Sequence, residues 1–280
     1  MNSISGSEND PIPTTQVPLK GVNRALQVLE HVAANPGRAT DIAESLDISW
    51  ATLHRTLQQL EQGGFLRKNT ETNRYSVGAR MWFIGSTYVA NHPVLEPARP
   101  YLKAAAKAAT VTVQLVERSG WQSTVLYNAD SEEAVTKADV GYHFPLHAGS
   151  KGQVLLAHAD PQFIEEYLRT PLVALTPRTV TDPDVLRERL ARIREEGYAV
   201  TLGDVQLFAA SISAPVMNQD DRVVASVCFV TRKSEMQNEE MRERLLELLM
   251  ESCQNISVSL GWRPNRPMWG SGRGDRAEAG

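Results

Sequence analysis

The sequence has no long apolar run and no apolar segment near its start. Nothing in it approaches the roughly 18 consecutive apolar residues that a membrane-spanning helix needs. Residues 1–19 have neither a basic start nor an apolar core, so they do not resemble a secretory signal. We therefore expect a cytoplasmic protein without a membrane partner.

Cysteine is also scarce, and no pattern of metal ligands is present. The two cysteines, Cys228 and Cys253, form no Cys-x-x-Cys pair and no zinc spacing, and are typical of buried thiols in a reducing compartment. No carboxylate or cysteine lies at ligand spacing from His143, His147 or His158. We expect no metal site.

The motifs of common enzyme sites are missing as well. The chain contains no Gly-x-Ser-x-Gly elbow, no Walker A loop and no recognisable pair of acid–base carboxylates. We therefore expect no catalytic residues, no cofactor and no enzyme. The alternative is a hydrolase in which the adjacent Ser150 and Lys151 act as nucleophile and base.

Length and charge favour two domains with different partners. The chain has 280 residues, of which 42% are hydrophobic, enough for two ordinary globular cores. The net charge is −4, yet residues 20–80 hold eight Lys or Arg against six Asp or Glu. That balance of +2 leaves −6 for the remainder, which suits a DNA-binding head on an acidic body.

Three helices and a hairpin are predicted in this basic segment. Apolar residues recur at helical spacing from Val22 to Val32, and Thr40 is a plausible N-cap of a second helix. A third helix is predicted from a Ser49 cap to about Gln62. Strand-like runs at Phe65–Lys68 and Arg74–Val77 follow, and the whole pattern predicts a winged helix-turn-helix.

The third helix has the side chains of a recognition helix. Leu53, Leu57 and Leu60 fall on one face and are predicted to be buried. Arginine pairs with guanine and glutamine with adenine in the major groove. The predicted DNA-contacting residues of this helix are Trp50, Ala51, Thr52, His54, Arg55, Gln58 and Gln59. Of these, Trp50 is expected to lean toward the core. The alternative is an ordinary solvated face.

The hairpin carries positive charge at Arg67, Lys68 and Arg74. Such a wing is predicted to hold DNA phosphates, although a charged hairpin can equally be a solvated sheet edge. After it, Ala79–Val89 is predicted to form a linker helix. Its apolar surface exceeds what one core face needs, which indicates a dimer interface. The alternative is that it packs on its own second domain.

The second half mixes helices and strands, and is typical of an α+β sensor domain. Strands are expected at Val111–Glu117, Ser123–Asn128, Val135–Val140, Ser211–Val216 and Val223–Thr231. Helices are expected at Gly152–His158, Asp182–Glu196 and Gln237–Leu260.

The turn Gly149-Ser150-Lys151-Gly152 leads into one of these helices. Free backbone N–H groups at a helix start bind anions, and Lys151 adds positive charge there. We expect a small anionic or amide-like ligand at this turn. The alternative is a tight packing turn with Lys151 in solvent. Phe208, Val227 and Phe229 are candidates for an apolar wall, and strand alternation is expected to turn only one of the last two inward.

Taken in order along residues 20–262, these pieces resemble the IclR family of bacterial transcriptional regulators. The matching segments are Val22–Leu29, Thr52–Leu57, Arg74–Gly78, Leu146–Ala148 with Gly152, Thr176–Asp182, Glu196–Tyr198 and Ala214–Val216. The resemblance implies a homodimer or dimer of dimers that binds a near-palindromic double-stranded operator. It also implies a GAF-like domain that binds a small organic effector, often a carboxylic or aromatic acid. We expect repression rather than activation.

The resemblance also indicates effector-pocket positions, which in this chain are Ser150, Lys151, Thr201, Ser211 and Cys228. Position 151 is usually small or apolar in the family, and position 201 is often acidic. Trp50 and Ala51 stand where relatives commonly have Lys and Ser.

The predicted fold is α+β: a winged helix-turn-helix, a linker helix and a GAF-like effector-binding domain. The expected ranges are a disordered leader at 1–18, the winged helix-turn-helix at 19–78, the linker helix at 79–93, the effector domain at 94–262 and a disordered tail at 263–280.

Overall fold

A computed structural model describes residues 20–129 and 140–263. They form two compact units, one ending at Ala90 and the other beginning at Asn91. The predicted leader, the tail from residue 264 and the strand expected at Val135–Val140, apart from Val140 itself, lie outside the described residues.

The first unit is a winged helix-turn-helix, as predicted. Its elements are α1 (Lys20–Ala34), β1 (Gly37–Arg38), α2 (Ala39–Ser45), α3 (Trp50–Gln62), β2 (Leu66–Lys68), β3 (Arg74–Val77) and α4 (Ala79–Ala90). The strands form an antiparallel sheet in the order β1-β3-β2. Strand β1 was not predicted, because two residues are too short to show a strand pattern.

A small apolar core fixes the position of α3. Leu53 and Leu57 are fully buried against Val28 of α1 and Ile42 of α2. Asp47 makes the turn between α2 and α3 with a φ of 50°, a left-handed conformation that aspartate tolerates better than most residues. The prediction of a buried leucine face on α3 is confirmed.

The prediction that Thr40 caps α2 is wrong. The helix begins at Ala39 and Arg38 occupies the N-cap position. The carboxylate of Asp41 accepts the backbone N–H of Arg38 at 3.3 Å, and Thr40 donates its hydroxyl to Asp41 at 2.9 Å. A carboxylate in the first turn therefore takes over the role expected of the threonine.

The second unit is an antiparallel sheet with helices packed on it. Its elements are α5 (Leu95–Ala109), β4 (Thr112–Ser119), β5 (Gln122–Ala129), β6 (His143–Pro145), α6 (Ser150–Ala157), α7 (Pro161–Leu168), α8 (Pro183–Glu196), β7 (Ala199–Leu202), β8 (Ala209–Met217), β9 (Val223–Arg232), α9 (Lys233–Gln237) and α10 (Glu239–Ser259). The six strands found among the described residues lie in the order β6-β5-β4-β9-β8-β7.

Helix α6 lies at the centre of this unit. All eight of its residues are buried, and it packs on strands β8 and β9 and on helix α8. A cluster of buried side chains from α6, α7 and α8 includes Leu156, Tyr167 and Leu190. Helices α5 and α10 pack on each other and on the sheet. The start of α6 is thus held in position from several directions.

Candidate DNA-binding face and ligand cavity

The outward face of α3 is open, as expected of a recognition helix. Ala51, His54, Arg55, Gln58 and Gln59 are exposed. Within the parts of the chain that the structure describes, no hydrogen bond engages the side chains of the last three. They remain available to base edges.

Thr52 and Trp50, near the start of α3, differ in how far they are buried. Thr52 is half-buried, and its carbonyl accepts the hydroxyl of the buried Thr56 at 3.0 Å. Trp50 is 54% exposed with its ring centroid 5.8 Å from that of His54, so the expectation that it leans toward the core is wrong. Helical side chains lean back over the preceding turn, and at the first residue of a helix that turn is absent.

The wing side chains are exposed but anchored. Arg67 donates through Nε to the hydroxyl of Ser76 at 3.0 Å, and Lys68 Nζ lies 5.7 Å from the centroid of the Tyr75 ring. The guanidinium of Arg74 donates to the carbonyl of Pro36. These contacts hold three cations along one hairpin.

A cavity of about 60 Å³ lies at the start of α6. It is lined by five of the predicted effector residues: Gly149, Lys151, Thr201, Ser211 and Cys228. Residues that sequence reasoning did not select also line it, namely Gln114, Phe144, Asp204, Val205, Gln206, Ala209, Ala210 and Val230.

Glycine is needed at both ends of the turn. Gly149 has a φ of 81°, a conformation that favours glycine. A Cβ on Gly152 would lie 2.6 Å from the carbonyl oxygen of Leu146, which leaves no room for a side chain. Gly152 therefore shapes the cavity through packing and does not line it.

A cluster of hydroxyls borders the cavity. Ser150 donates its backbone N–H to the hydroxyl of Thr201 at 3.2 Å, and its own Oγ lies 2.7 Å from the hydroxyls of Ser211 and Ser213. Cys228 Sγ is 4.0 Å from Ser150 Oγ. The Ser150 hydroxyl is thus bonded to other serines, and no hydrogen bond joins it to Lys151 in the described structure.

Lys151 points into the cavity, so the alternative that places it in solvent is wrong. Its Nζ donates to Oε1 of Gln114 at 3.1 Å and lies 3.9 Å from the centroid of the Phe144 ring. Burial lowers the pKa of the ammonium. Among the described residues, no carboxylate forms an ion pair with it.

Asp204 is a second charged group in the cavity wall. It is buried and pairs with Arg189, whose Nη1 lies 3.2 Å from its carboxylate. Burial raises the pKa of Asp204, and the neighbouring Arg189 opposes that shift. The cavity therefore contains a paired carboxylate and an unpaired ammonium.

The three residues predicted to form an apolar wall do not line the cavity. Phe208 is 59% exposed and does not line the cavity. Val227 and Phe229 are two residues apart, so both face the same side of β9, and the cavity-lining Cys228 between them faces the other. The expectation that one of them turns inward is wrong, and Val230 lines the cavity instead.

Three histidines noted in the sequence make internal hydrogen bonds. The Nδ1 atom of His147 lies 2.8 Å from the Tyr167 hydroxyl, that of His158 lies 2.9 Å from the Val154 carbonyl, and that of His143 lies 2.8 Å from the Thr124 hydroxyl. Burial lowers the pKa of His147 and of His158. Across residues 20–129 and 140–263, no cluster of three potential metal ligands occurs, and no helix has the length and apolarity to cross a bilayer.

A winged helix-turn-helix with an open recognition face, followed by an α+β unit with a small cavity that contains a buried lysine, defines a ligand-responsive transcriptional regulator. Family models agree with this class: residues 21–70 match the IclR helix-turn-helix domain, and residues 86–258 match the bacterial transcriptional regulator IclR C-terminal domain. The chain belongs to the IclR family, and it is a DNA-binding transcriptional regulator and not an enzyme.

Individual relatives and solved structures support the assignment to the IclR family. The chain is 25% identical to the HTH-type transcriptional repressor AllR of Salmonella typhi, over 90% of this chain and 94% of that protein. It is 28% identical to the HTH-type transcriptional regulator BhcR of Paracoccus denitrificans, over 89% of each.

Among crystal structures, it resembles the IclR transcriptional regulator of Alicyclobacillus acidocaldarius, with a TM-score of 0.76 and 29% identity over 88% of this chain and all of that one. It also resembles an IclR homolog of Microbacterium hydrocarbonoxydans complexed with 4-hydroxybenzoate, with a TM-score of 0.74 and 28% identity over 86% and 99%.

Proposed function

We propose that the effector of this regulator is a small organic carboxylate bound in the cavity at the start of α6. The observation that supports this is Lys151, a buried ammonium that points into the cavity without a carboxylate partner among the described residues. An unpaired buried charge is costly, and a ligand carboxylate would supply the missing partner. The Microbacterium homolog was crystallised with a carboxylate, 4-hydroxybenzoate.

The size of the cavity narrows the class of acid. One water needs about 10–15 Å³ of such space, so about 60 Å³ holds roughly four to six water-sized groups. An acid of about two to four carbons fits this space, whereas an aromatic acid requires the lining to move. The Thr201 and Ser211 hydroxyls and the Cys228 thiol would contact the remainder of the ligand, beside the turn formed by Gly149–Gly152.

DNA recognition in this proposal uses the exposed face of α3 in the major groove. Arg55, Gln58 and Gln59 read base edges, and the other predicted residues of the helix, Trp50, Ala51, Thr52 and His54, contact bases or phosphates around them. The wing residues Arg67, Lys68 and Arg74 contact phosphates.

The proposed assembly is a homodimer, or a pair of such dimers, formed through the first unit. Helix α4 buries none of its residues, and Trp82, Phe83 and Ile84 on it are 79%, 67% and 47% exposed. Val22 and Leu26 of α1 are about half exposed as well. A second copy would cover this apolar surface, and two-fold symmetry would require a near-palindromic operator.

We propose further that the protein represses its targets in the cytoplasm and releases the operator when the acid binds. The Salmonella typhi relative is named a repressor, which supports this sign of regulation.

One titration tests the proposal. The full chain is bound to its operator, located by footprinting upstream of its own gene, and two- to four-carbon acids are added together with the matching primary amides. We expect an acid to release the DNA and its amide to be inactive, because only the acid pairs with Lys151. Equal action of acid and amide would contradict the ion-pair assignment.

A further inference from the structure

The three-stranded sheet of the first unit has one face packed on the core and one exposed face. Tyr75 of β3 is buried among the apolar residues of this unit. Its neighbours on the strand, Arg74 and Ser76, point to the opposite face, because successive side chains alternate. Residues paired directly across an antiparallel sheet share a face. Arg38 of β1 pairs with Arg74, and Arg67 of β2 pairs with Ser76, so three arginines lie on the exposed face.

The pairing of Arg38 with Arg74 is unfavourable in the free protein. The Cβ atoms of directly opposed residues lie about 4.5–5.5 Å apart, and like charges in such a pair destabilise the sheet. Both side chains are exposed, and neither forms an ion pair within residues 20–129 and 140–263. Arg74 donates to the carbonyl of Pro36, whereas the guanidinium of Arg38 donates no hydrogen bond to any described residue. An anion bound between the two arginines would remove the repulsion.

The surroundings of this pair are positive even when every carboxylate is counted. The sheet, its turn at 69–73 and the first turn of α2 contain six charged residues, namely Arg38, Asp41, Arg67, Lys68, Glu71 and Arg74. Four cations and two carboxylates give a net charge of +2. The Asp41 carboxylate accepts the Thr40 hydroxyl and the backbone N–H of Arg38, and these bonds, together with the charges of Arg38 and Arg74, lower its pKa. Asp41 therefore offsets part of the charge, and the pair still favours an anion.

The place of Arg38 in the helix-turn-helix indicates which anion this is. Arg38 is the N-cap of α2, the helix directly before the recognition helix α3. In helix-turn-helix proteins that preceding helix crosses the DNA backbone, and arginines hold the phosphates there. A phosphodiester has two free oxygens, so two guanidinium groups can bind it together.

We propose that Arg38 and Arg74 clamp one phosphate of the DNA backbone between them. The inference rests on the DNA-binding face proposed above. It adds Arg38 to that face, a residue that only the strand pairing of β1 with β3 brings beside Arg74.

Operators with a methylphosphonate linkage test the clamp, because this group removes the charge of a single phosphate. The full chain is titrated with the footprinted operator and with copies that carry one neutral linkage per half-site, placed at each position in turn. We expect one position at which the neutral linkage weakens binding of the wild type and abolishes the effects of both Arg38→Gln and Arg74→Gln. Two different positions, one for each arginine, would show separate phosphates and would overturn the clamp.

On unmodified DNA, Arg38→Gln should weaken the operator and unrelated DNA by a similar, several-fold factor, because a phosphate contact carries no sequence information. Combined with Arg74→Gln, it should make the slope of log affinity against log salt less steep by about one unit, since one phosphate contact is lost. A change of about two units would indicate two phosphates. Unchanged affinity in Arg38→Gln would exclude Arg38 from the interface.

Two controls separate a phosphate contact from other causes. The melting temperature of free Arg38→Gln should be unchanged or raised, because a like-charge pair is removed. A lowered melting temperature would make Arg38 a structural residue. Arg80→Gln makes the same change in charge on α4, where the guanidinium lies 5.3 Å from the centroid of the Phe65 ring. It should keep the affinity and the salt slope of the wild type, and equal loss in both variants would reduce the effect to net charge.

Failure of the clamp and failure of the DNA-binding face give different results. If Arg55→Ala weakens operator binding and Arg38→Gln does not, only the clamp is refuted. If neither variant and no neutral linkage changes binding, the DNA-binding face itself is wrong.

Discussion

The two proposed sites of this protein are built in opposite ways. The recognition face occupies one helix, α3, and its important side chains are exposed and have few contacts within the protein. The ligand cavity collects residues from Gln114 to Val230, and most of them are buried. The first site is continuous in sequence and depends little on its surroundings, whereas the second exists only when the sheet and α6 are assembled.

This difference should appear in the size of mutational effects. A buried charge interacts strongly because water screens it little, while exposed charges are screened by solvent and salt. Substitutions in the cavity should therefore change ligand affinity more than substitutions on the DNA face change operator affinity.

Lys151→Met should nearly abolish binding of the acid effector. Removal of one partner of a buried, hydrogen-bonded charge pair costs about 2–5 kcal/mol, which is a loss of roughly thirtyfold or more in affinity. The same change should leave the fold intact or stabilise it, because methionine has no buried charge to solvate. Calorimetry and thermal unfolding together measure both effects.

Gln114→Leu serves as the control for that variant, since it removes the hydrogen-bond acceptor that Lys151 has among the described residues without removing the charge. It should weaken acid binding less than Lys151→Met does. If Lys151→Met is stable and its acid affinity is unchanged, the expectation that cavity substitutions have the larger effect on binding would be wrong.

Arg55→Ala should weaken operator binding by about 1–3 kcal/mol without unfolding the first unit. Arg55 is exposed on α3, so its loss leaves no cavity in the core. A gel shift with operator and with unrelated DNA measures the effect, which should be larger on the operator. Arg169→Ala, an equal loss of charge at an exposed residue of the second unit, should change neither affinity.

Acid binding should weaken as the pH rises. The pKa of Lys151 is lowered in the free protein, and a bound carboxylate raises it because it stabilises the ammonium. Affinity is therefore full below the lowered pKa of the free state. Between the free and the bound pKa it should fall by up to about tenfold per pH unit, since binding then requires proton uptake. Calorimetry in buffers of different ionisation enthalpy detects that proton, and a pH-independent affinity would contradict the assignment.

Lys68→Ala on the wing should have the smallest effect. A phosphate contact contributes to all DNA sequences about equally, so operator and unrelated DNA should lose a similar, few-fold factor. The slope of log affinity against log salt should become less steep by about one unit. A loss confined to the operator would indicate base readout by the wing and would make it resemble α3.

The contrast between the sites also explains what the sequence could predict. The leucine spacing of α3 identified its buried face, and the opposite face followed directly from helical period. The Gly149–Gly152 turn was recognisable because local backbone geometry requires glycine there. Asp204 was not recognisable, since its role depends on Arg189, a residue fifteen positions away on a different element.

Other residues could have been found by closer reasoning. Gln114 is a polar residue between the apolar residues Val113 and Leu115 of β4, which is a sign of a buried polar contact. Val230 follows from strand alternation once Cys228 is placed in the cavity. Helix α5 was missed because Pro100 lies within it, and proline usually interrupts a helical pattern.

The complete burial of α6 makes its amide protons a reporter of ligand in solution. A helix covered on all sides exchanges its amide hydrogens only when much of the surrounding unit opens. A ligand that binds the native state suppresses that opening by the factor 1 + [L]/Kd. Deuterium uptake at Val154–Ala157 should therefore slow in proportion to ligand occupancy, so candidate effectors can be ranked without knowledge of the operator.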